Sequence, residues 1–186
     1  MKNKNFVTAL LFFGCFFLFS AVHAQDGGGK REVGLQFSSL DFTGSSFGAF
    51  FKKEKKENVY RRIRFAAGAI DFGLLEETTD FNFAAALAIG REKRKALDAK
   101  LIFYHGPEFA ARVQAVTLWE DDIAMTIQPS FGWVIGLQHS FNDRWAINIE
   151  TIPTFYVAAN INTIDEGLLF GVGGSNFVSL GVVRKF

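Results

Sequence analysis

The sequence predicts an all-β chain: an eight-stranded antiparallel up-and-down transmembrane β-barrel, preceded by a cleavable export signal. Three observations predict it. Apolar and polar residues alternate with period two over most of the chain, as strands with two unlike faces require. Beyond residue 24 no apolar run approaches the roughly 20 residues of a spanning helix, although 49% of residues are hydrophobic and the mean hydropathy is +0.15. The first residues, finally, read MKNKNFVTALLFFGCFFLFSAVHAQ.

That opening segment has a basic head at Lys2 and Lys4, an apolar stretch from Phe6 to Phe19, and small residues at Val22 and Ala24 before Gln25. This is the layout of a secretory signal, so residues 1–24 are expected to be removed. Cys15 follows Phe-Phe-Gly, a faint likeness to a lipidation site, but apolar rather than polar sequence follows it. Loss of Cys15 with the signal would leave no cysteine for a disulfide or thiolate chemistry. Residues 25–30, with Asp26-Gly27-Gly28-Gly29, read as a flexible leader.

Residues 31–186 read as one barrel domain. Removing 24 residues leaves 162, enough for eight strands of about 9–11 residues with their connections. The alternation predicts strands near 31–40, 46–53, 58–72, 80–91, 96–106, 126–139, 144–158 and 174–186. The third sets Val59, Ile63 and Phe65 against Tyr60, Arg62 and Arg64. The fourth sets Phe81, Phe83, Leu87 and Ile89 against Asn82, Ala84, Ala86 and Ala88. The fifth sets Leu97, Leu101 and Phe103 against Asp98, Lys100 and Tyr104. The sixth and seventh are clearest. Ile127, Phe131, Trp133, Ile135 and Leu137 share one face, with Gln128, Ser130, Gly132, Gly136 and Gln138 on the other. Trp145, Ile147 and Ile149 likewise oppose Arg144, Asn148 and Glu150.

Apolar faces this full suit a lipid-facing wall, with the polar faces turned inward. A soluble barrel has the same period with the faces inverted. Trp133, Phe141 and Trp145 are expected at the membrane interface. The lumen is expected to hold a polar network of Glu32, Arg62, Arg64, Asp98, Lys100, Tyr104, Arg144, Asn148 and Glu150, joined by Gln36, Lys52, Asn82, Gln128, Gln138 and Tyr156. An eight-stranded interior is just wide enough for side chains, which favours a packed network over a solute path.

The connections sort by charge. Segments 52–57, 91–95, 143–144 and 184–185 carry eleven basic and four acidic residues and read as short turns at one end. Segments 41–46, 71–80, 107–125 and 159–173 carry eleven acidic residues against Arg112 and read as longer loops at the other. Short turns facing the periplasm and long loops facing out are the barrel pattern. The stretch 107–114 reads either as a short helix over the mouth or as extended flanking strands. Pro129 and Pro153 fall inside predicted strands, where each removes a ladder donor, so they mark a bulge, a frayed rim or a lateral gap.

The last residues, Asn176 to Phe186, alternate and stop on an aromatic ring. Here the chain resembles the small porin-like outer-membrane β-barrel family, whose members commonly end in an amphipathic strand with a terminal Phe. The resemblance implies outer-membrane residence and an insertion signal carried by Val178, Leu180, Val182 and Phe186. It implies outer-membrane lipid, lipopolysaccharide and the insertion machinery as partners, and a monomer.

Chemistry-bearing motifs are few. His139, Ser140 and Glu150 contain the residue types of a hydrolytic triad, but alternation puts His139 and Glu150 on opposite faces, whereas a nucleophile and its base must share a site. Glu108, Glu120, Asp121 and Asp122, with His105 and Trp119, could bring oxygen ligands to a cation, but match no calcium-loop spacing, so a solvated acidic loop is the reading. No phosphate-binding Gly loop, CxxC pair or metal-spaced histidine set occurs, and a net charge of +1, or −1 without Lys2 and Lys4, gives no pull toward nucleic acid. No catalytic residue, metal or cofactor is expected. The function expected is a non-enzymatic envelope or surface-interaction protein. The alternatives are a lipid-modifying barrel enzyme, a small-solute channel and a soluble periplasmic barrel for an apolar ligand.

Overall fold

The computed structural model describes residues 29–37, 47–67, 71–72, 81–117, 123–161, 167–173 and 178–186. The export segment, most of the leader and the centres of the four longer connections lie outside the described residues. So do Trp119, Glu120, Asp121 and Asp122.

Eleven β segments form one antiparallel sheet: β1 (Arg31–Phe37), β2 (Phe47–Lys56), β3 (Val59–Ala67), β4 (Asp71–Phe72), β5 (Phe81–Ala96), β6 (Leu101–Thr117), β7 (Ile123–Ser140), β8 (Trp145–Thr151), β9 (Thr154–Ile161), β10 (Gly167–Gly173) and β11 (Ser179–Lys185). They occupy eight positions around a closed barrel. β3 and β4 both lie along β5. β8 and β9 both lie along β7, on either side of Ile152 and Pro153. β10 and β11 pair with β9 and β8 respectively. β1 closes the ring by pairing β2 on one side and β11 on the other, helped by reciprocal backbone bonds between Arg31 and Phe186.

The ladders give the barrel's stagger. From Leu35 one row runs through Ala49, Phe65, Leu87 and Ala111 to Pro129. The other way, Leu35 leads through Val182 and Ile147 to His139. The two routes meet β7 ten residues apart, so the barrel has a shear of ten with eight strands. Closure with such a stagger tilts strands by about 35–45° to the axis.

Alternation then sorts the side chains. Arg31–Phe37 alternates half-buried and buried residues strictly, and Ser179–Arg184 alternates buried and exposed ones. The buried positions point into the barrel. The outward positions carry large apolar groups, among them Phe51, Ile89, Phe131, Leu137, Ile149 and Leu180, all more than a third exposed. A soluble barrel would have these faces inverted; here the apolar face is outside.

Several boundaries differ from the sequence-based expectation. β5 runs through Arg91–Lys95 to Ala96, and the turn comes at residues 97–100. β6 and β7 take up most of the expected 107–125 loop, so the 107–114 stretch extends a strand. β9 and β10 take up much of the expected 159–173 loop. The physical reason is common to all three: a ladder needs only backbone partners, and charged or small side chains do not end it while the neighbouring strand continues. The β2–β3 turn places Asn58 at φ 59°, the left-handed conformation that asparagine tolerates better than most residues. The Asn58 N–H donates to Glu54 Oε1 at 3.2 Å.

Inside, three aromatic rings lie over glycines directly across the ladder: Phe50 over Gly34, Tyr104 over Gly136 and Tyr156 over Gly171. A Cβ at any of these glycines would enter the ring's space. Glycine therefore makes room for the bulky groups that fill a narrow interior. Gly136→Val is expected to destabilise the barrel by about 1–3 kcal/mol, the usual range for overpacking. Gly167→Ala, where a Cβ meets nothing within 4 Å, is expected to be close to neutral. Urea unfolding of the two variants in lipid vesicles, followed by the heat-modifiable shift on detergent gels, measures the difference.

Candidate functional site

The barrel's inward face builds one connected polar site. β3 supplies Arg62 and Arg64, β2 Lys52, β5 Glu92 and Arg94, β1 Glu32, β6 Tyr104 and Glu108, and β8 Asn148 and Glu150. Each follows the inward parity of its strand, so residues far apart in sequence meet in the lumen.

Arg62 is its centre and has no solvent exposure. Its guanidinium faces three carboxylates: Nε lies 2.9 Å from Glu108, Nη1 lies 3.6 Å from Glu92, and Nη2 donates to Glu150 at 2.8 Å. A second bond from Nη1 to Glu150 at 3.1 Å makes that pair two-pronged. Such forked pairs are the strong form of the arginine–carboxylate contact. Lys52 Nζ contacts Glu92 at 2.9 Å and lies 4.3 Å from the centre of the Tyr104 ring. Arg94 grips Glu32 with two bonds of 2.7 and 2.6 Å, also contacts Glu92, and stacks 3.6 Å from the Tyr60 ring centre. Arg64 donates to Glu108 at 2.6 Å.

Neutral groups complete the mesh. The Tyr104 hydroxyl donates to Glu150 at 2.8 Å and accepts from Asn148 Nδ2 at 2.9 Å. Gln36 Nε2 donates to Glu150 at 2.7 Å and to Ser179 Oγ. Gln138 Nε2 donates to Glu32 at 3.2 Å. Four acids (Glu32, Glu92, Glu108, Glu150) meet four bases (Lys52, Arg62, Arg64, Arg94), so this core carries no formal net charge. Taking charges out of water is expensive unless each is paired and hydrogen-bonded. Every charge of the mesh is paired, with Lys52 Nζ, Arg62 Nε and one oxygen each of Glu92 and Glu108 held by ion pairs rather than hydrogen bonds, and the mesh fills the bore rather than lining an open path.

Of the nine lumen residues expected from sequence, Glu32, Arg62, Arg64, Tyr104, Asn148 and Glu150 stand in this site. Three do not: Asp98, Lys100 and Arg144 are exposed and lie in the 97–100 and 141–144 turns. Asp98 caps its own turn by accepting from the Ala99 N–H at 2.6 Å. These three lie one to three residues past the strand ends, where parity no longer decides direction. Conversely, Glu92, Arg94 and Glu108 belong to the site although their charge and setting resemble those of connections. Lys52 sits in the lumen, not the turn. Their signal is parity: Ala88, Gly90, Glu92 and Arg94 are successive inward positions of β5.

The triad residue types do not converge. His139 faces outward beside Phe141, their ring centres 5.7 Å apart, and Ser140 Oγ accepts from Lys185 Nζ at 3.1 Å. Glu150 is inside, bound to Arg62. His105 also faces outward, between Phe103 and Trp133. Trp145 and Phe141 stand beside the turns, whereas Trp133 lies mid-strand in β7. Among the described residues no group of three or more His, Cys, Asp or Glu could hold a metal ion. Leu180, Val182 and Phe186 face outward, as does Val178 just before β11.

No protein-family model matches the sequence, and no curated protein matches it. Solved structures do match. Neisserial surface protein A aligns over 86% of this chain and 98% of its own, with a TM-score of 0.53 and 12% identity. Ail, the attachment invasion locus protein of Yersinia pestis, aligns over 86% and 100% with a TM-score of 0.48 and 10% identity. A major outer membrane protein from Thermus thermophilus aligns over 86% and 100% with a TM-score of 0.47 and 12% identity. The first of these shows the fold: the chain is built as an eight-stranded antiparallel β-barrel, as that surface protein is.

Removing the central guanidinium tests the site's role. Arg62→Met leaves three carboxylates facing one another in the lumen and is expected to destabilise the barrel by about 3–5 kcal/mol. Adding Glu150→Gln to that variant should recover part of the loss, because one uncompensated charge goes with it. Urea titrations of both single variants and the double in vesicles give the coupling.

Proposed function

We propose that this chain is a non-enzymatic outer-membrane protein with a plugged lumen, whose role is envelope integrity or surface interaction. One observation carries the reading. Large apolar side chains occupy the outside of the barrel while a charge-balanced ion-pair mesh occupies the inside. Water is a poor medium for such an outer wall, and lipid a good one. A solute path would need continuous space where Arg62, Tyr104, Lys52 and Glu150 now interlock.

The same reading takes export through residues 1–24 as the route and residence in the outer membrane as the destination. Lipid and lipopolysaccharide are its surroundings, and the barrel is a monomer. The outward Val178, Leu180, Val182 and Phe186 of the last strand are the groups that the insertion machinery would engage. With His139 outside and Glu150 inside the wall, the triad residue types on which the lipid-modifying alternative draws do not converge.

The test is conductance together with fractionation. The full-length gene product is expected in detergent-extracted outer membrane and to show a heat-modifiable band. Reconstituted in planar bilayers, it should give no discrete channel openings. Recovery from soluble periplasm without detergent would defeat the membrane reading, and regular single-channel steps would defeat the plugged lumen.

A further inference from the structure

On the outer wall near the turns, cations from four neighbouring strands fall in one ladder row. Arg31 is opposite Lys53, Lys53 opposite Arg61, and Arg61 opposite Arg91. Lys93 adds another one outward position further along β5. All have the outward parity, since Glu32, Lys52, Arg62 and Glu92 beside them are buried. Like charges directly opposite across a ladder destabilise it. Among the described residues, neither Lys53, Arg61, Arg91 nor Lys93 has an ion-pair partner, and no Asp or Glu takes an outward position on β1, β2, β3 or β5.

The next outward row is apolar and runs parallel to it. Val33, Phe51, Ile63, Ile89 and Phe109 are successive partners across the same strands. With strands about 4.7–4.9 Å apart, the row from Arg31 to Arg91 spans about 15 Å. The row is also local: across β7, β8 and β11 the outward positions of the described strands carry a single lysine or arginine, Arg184, and its guanidinium lies over the Trp145 and Phe186 rings.

We propose that this sector is a binding site for anionic phospholipid, the phosphate meeting Lys53, Arg61, Arg91 and Lys93 while the acyl chains lie on the Phe51–Ile63–Ile89 row. The inference rests on the membrane reading above and adds a ligand class to it. An anionic headgroup supplies the countercharge that Lys53, Arg61, Arg91 and Lys93 lack, and the adjoining apolar row supplies the surface that a soluble anion would leave unused. Basic side chains near an anionic membrane surface contribute about 1 kcal/mol each, roughly a fivefold change in binding per cation.

The experiment is native mass spectrometry of the full-length, detergent-purified barrel, given equal amounts of phosphatidylglycerol and phosphatidylethanolamine with matched chains. The wild type is expected to retain phosphatidylglycerol preferentially, and to lose that preference in high salt. Arg61→Gln/Arg91→Gln should weaken retention by about 25-fold, two such fivefold steps, with phosphatidylethanolamine unchanged. Arg61→Lys/Arg91→Lys should keep it, and the turn control Lys56→Gln/Arg144→Gln should match wild type. A heat-modifiable barrel with no lipid preference overturns the proposal, as does equal loss in the turn control. A salt-insensitive preference also overturns it, and that measurement needs only the wild type if the Gln variant fails to fold. Binding of an anionic cell-wall polymer through the same row, without lipid preference, overturns it in favour of that partner. Failure of the wild type to insert into vesicles would instead sink the membrane reading itself.

Discussion

The Arg62 guanidinium, enclosed by Glu92, Glu108 and Glu150, is the contact on which the rest of the architecture turns. An eight-stranded barrel is too narrow for bulk water and too wide to be filled by backbone. If its outer face is apolar, its inner face must carry the polar residues, and those residues must then satisfy one another. Arg62 does so for three strands at once, and Glu92 and Glu150 extend the mesh to Lys52, Arg94, Tyr104 and Gln36. Ladder register determines which of these groups meet. A slip of one residue in β3 would turn Arg62 to the outside and Arg61 or Ile63 inward, undoing both faces together.

Much of this is legible in the sequence because period-two alternation reports directly on sidedness. Asn148 and Glu150 flank Ile149, and Arg62 and Arg64 flank Ile63, so the inward set on β3 and β8 can be read from polarity alone. The rule fails where polarity stops tracking sidedness. The run Arg91–Lys95 holds charges on both faces: Glu92 and Arg94 reach the lumen while Arg91, Lys93 and Lys95 point outward. A run of charge resembles a turn, and only the parity continuing from Ala88 and Gly90 distinguishes it. Glu108 is hidden in a similar way, next to Pro107 in a stretch that resembles a loop. The errors at Asp98, Lys100 and Arg144 are the converse, alternation extended beyond the last ladder bond.

The prolines follow the same logic. A proline lacks an N–H, so it is tolerated where that donor is not needed. Pro107 and Pro129 pair with Trp133 and Ala111 in the unbroken β6–β7 ladder, and each stands at a gap in the ladder on its other side, between Gly90 and Lys93 of β5 and between Ile127 and Ser130 of β7. Pro153 stands at the break between β8 and β9, and its carbonyl accepts from the Trp133 N–H at 3.0 Å. The break therefore leaves β7 bonded on both sides of it, through Thr151 and Thr154. Of the bulge, frayed rim or lateral gap that the sequence offers there, the position of Pro153 is an irregularity bridged by a backbone bond.

The two faces of the wall treat charge in opposite ways, and that contrast locates chemistry better than any motif. Inside, every arginine and lysine of the mesh has a carboxylate within ion-pair distance, and the formal charges cancel. Outside, on the adjoining residues of the same strands, Lys53, Arg61 and Arg91 stand in line with no carboxylate among the outward positions beside them. Lys52 and Lys53 differ by one place in sequence, yet one is buried against Glu92 and the other belongs to the outward row. Folding alone explains the first arrangement, because burial without pairing would be prohibitive. It does not explain the second, since any uncharged residue on those strands would remove the repulsion along the ladder. A charge row that the fold does not need points to something beyond the chain that does, and its place beside a longer apolar row sets the shape of that partner.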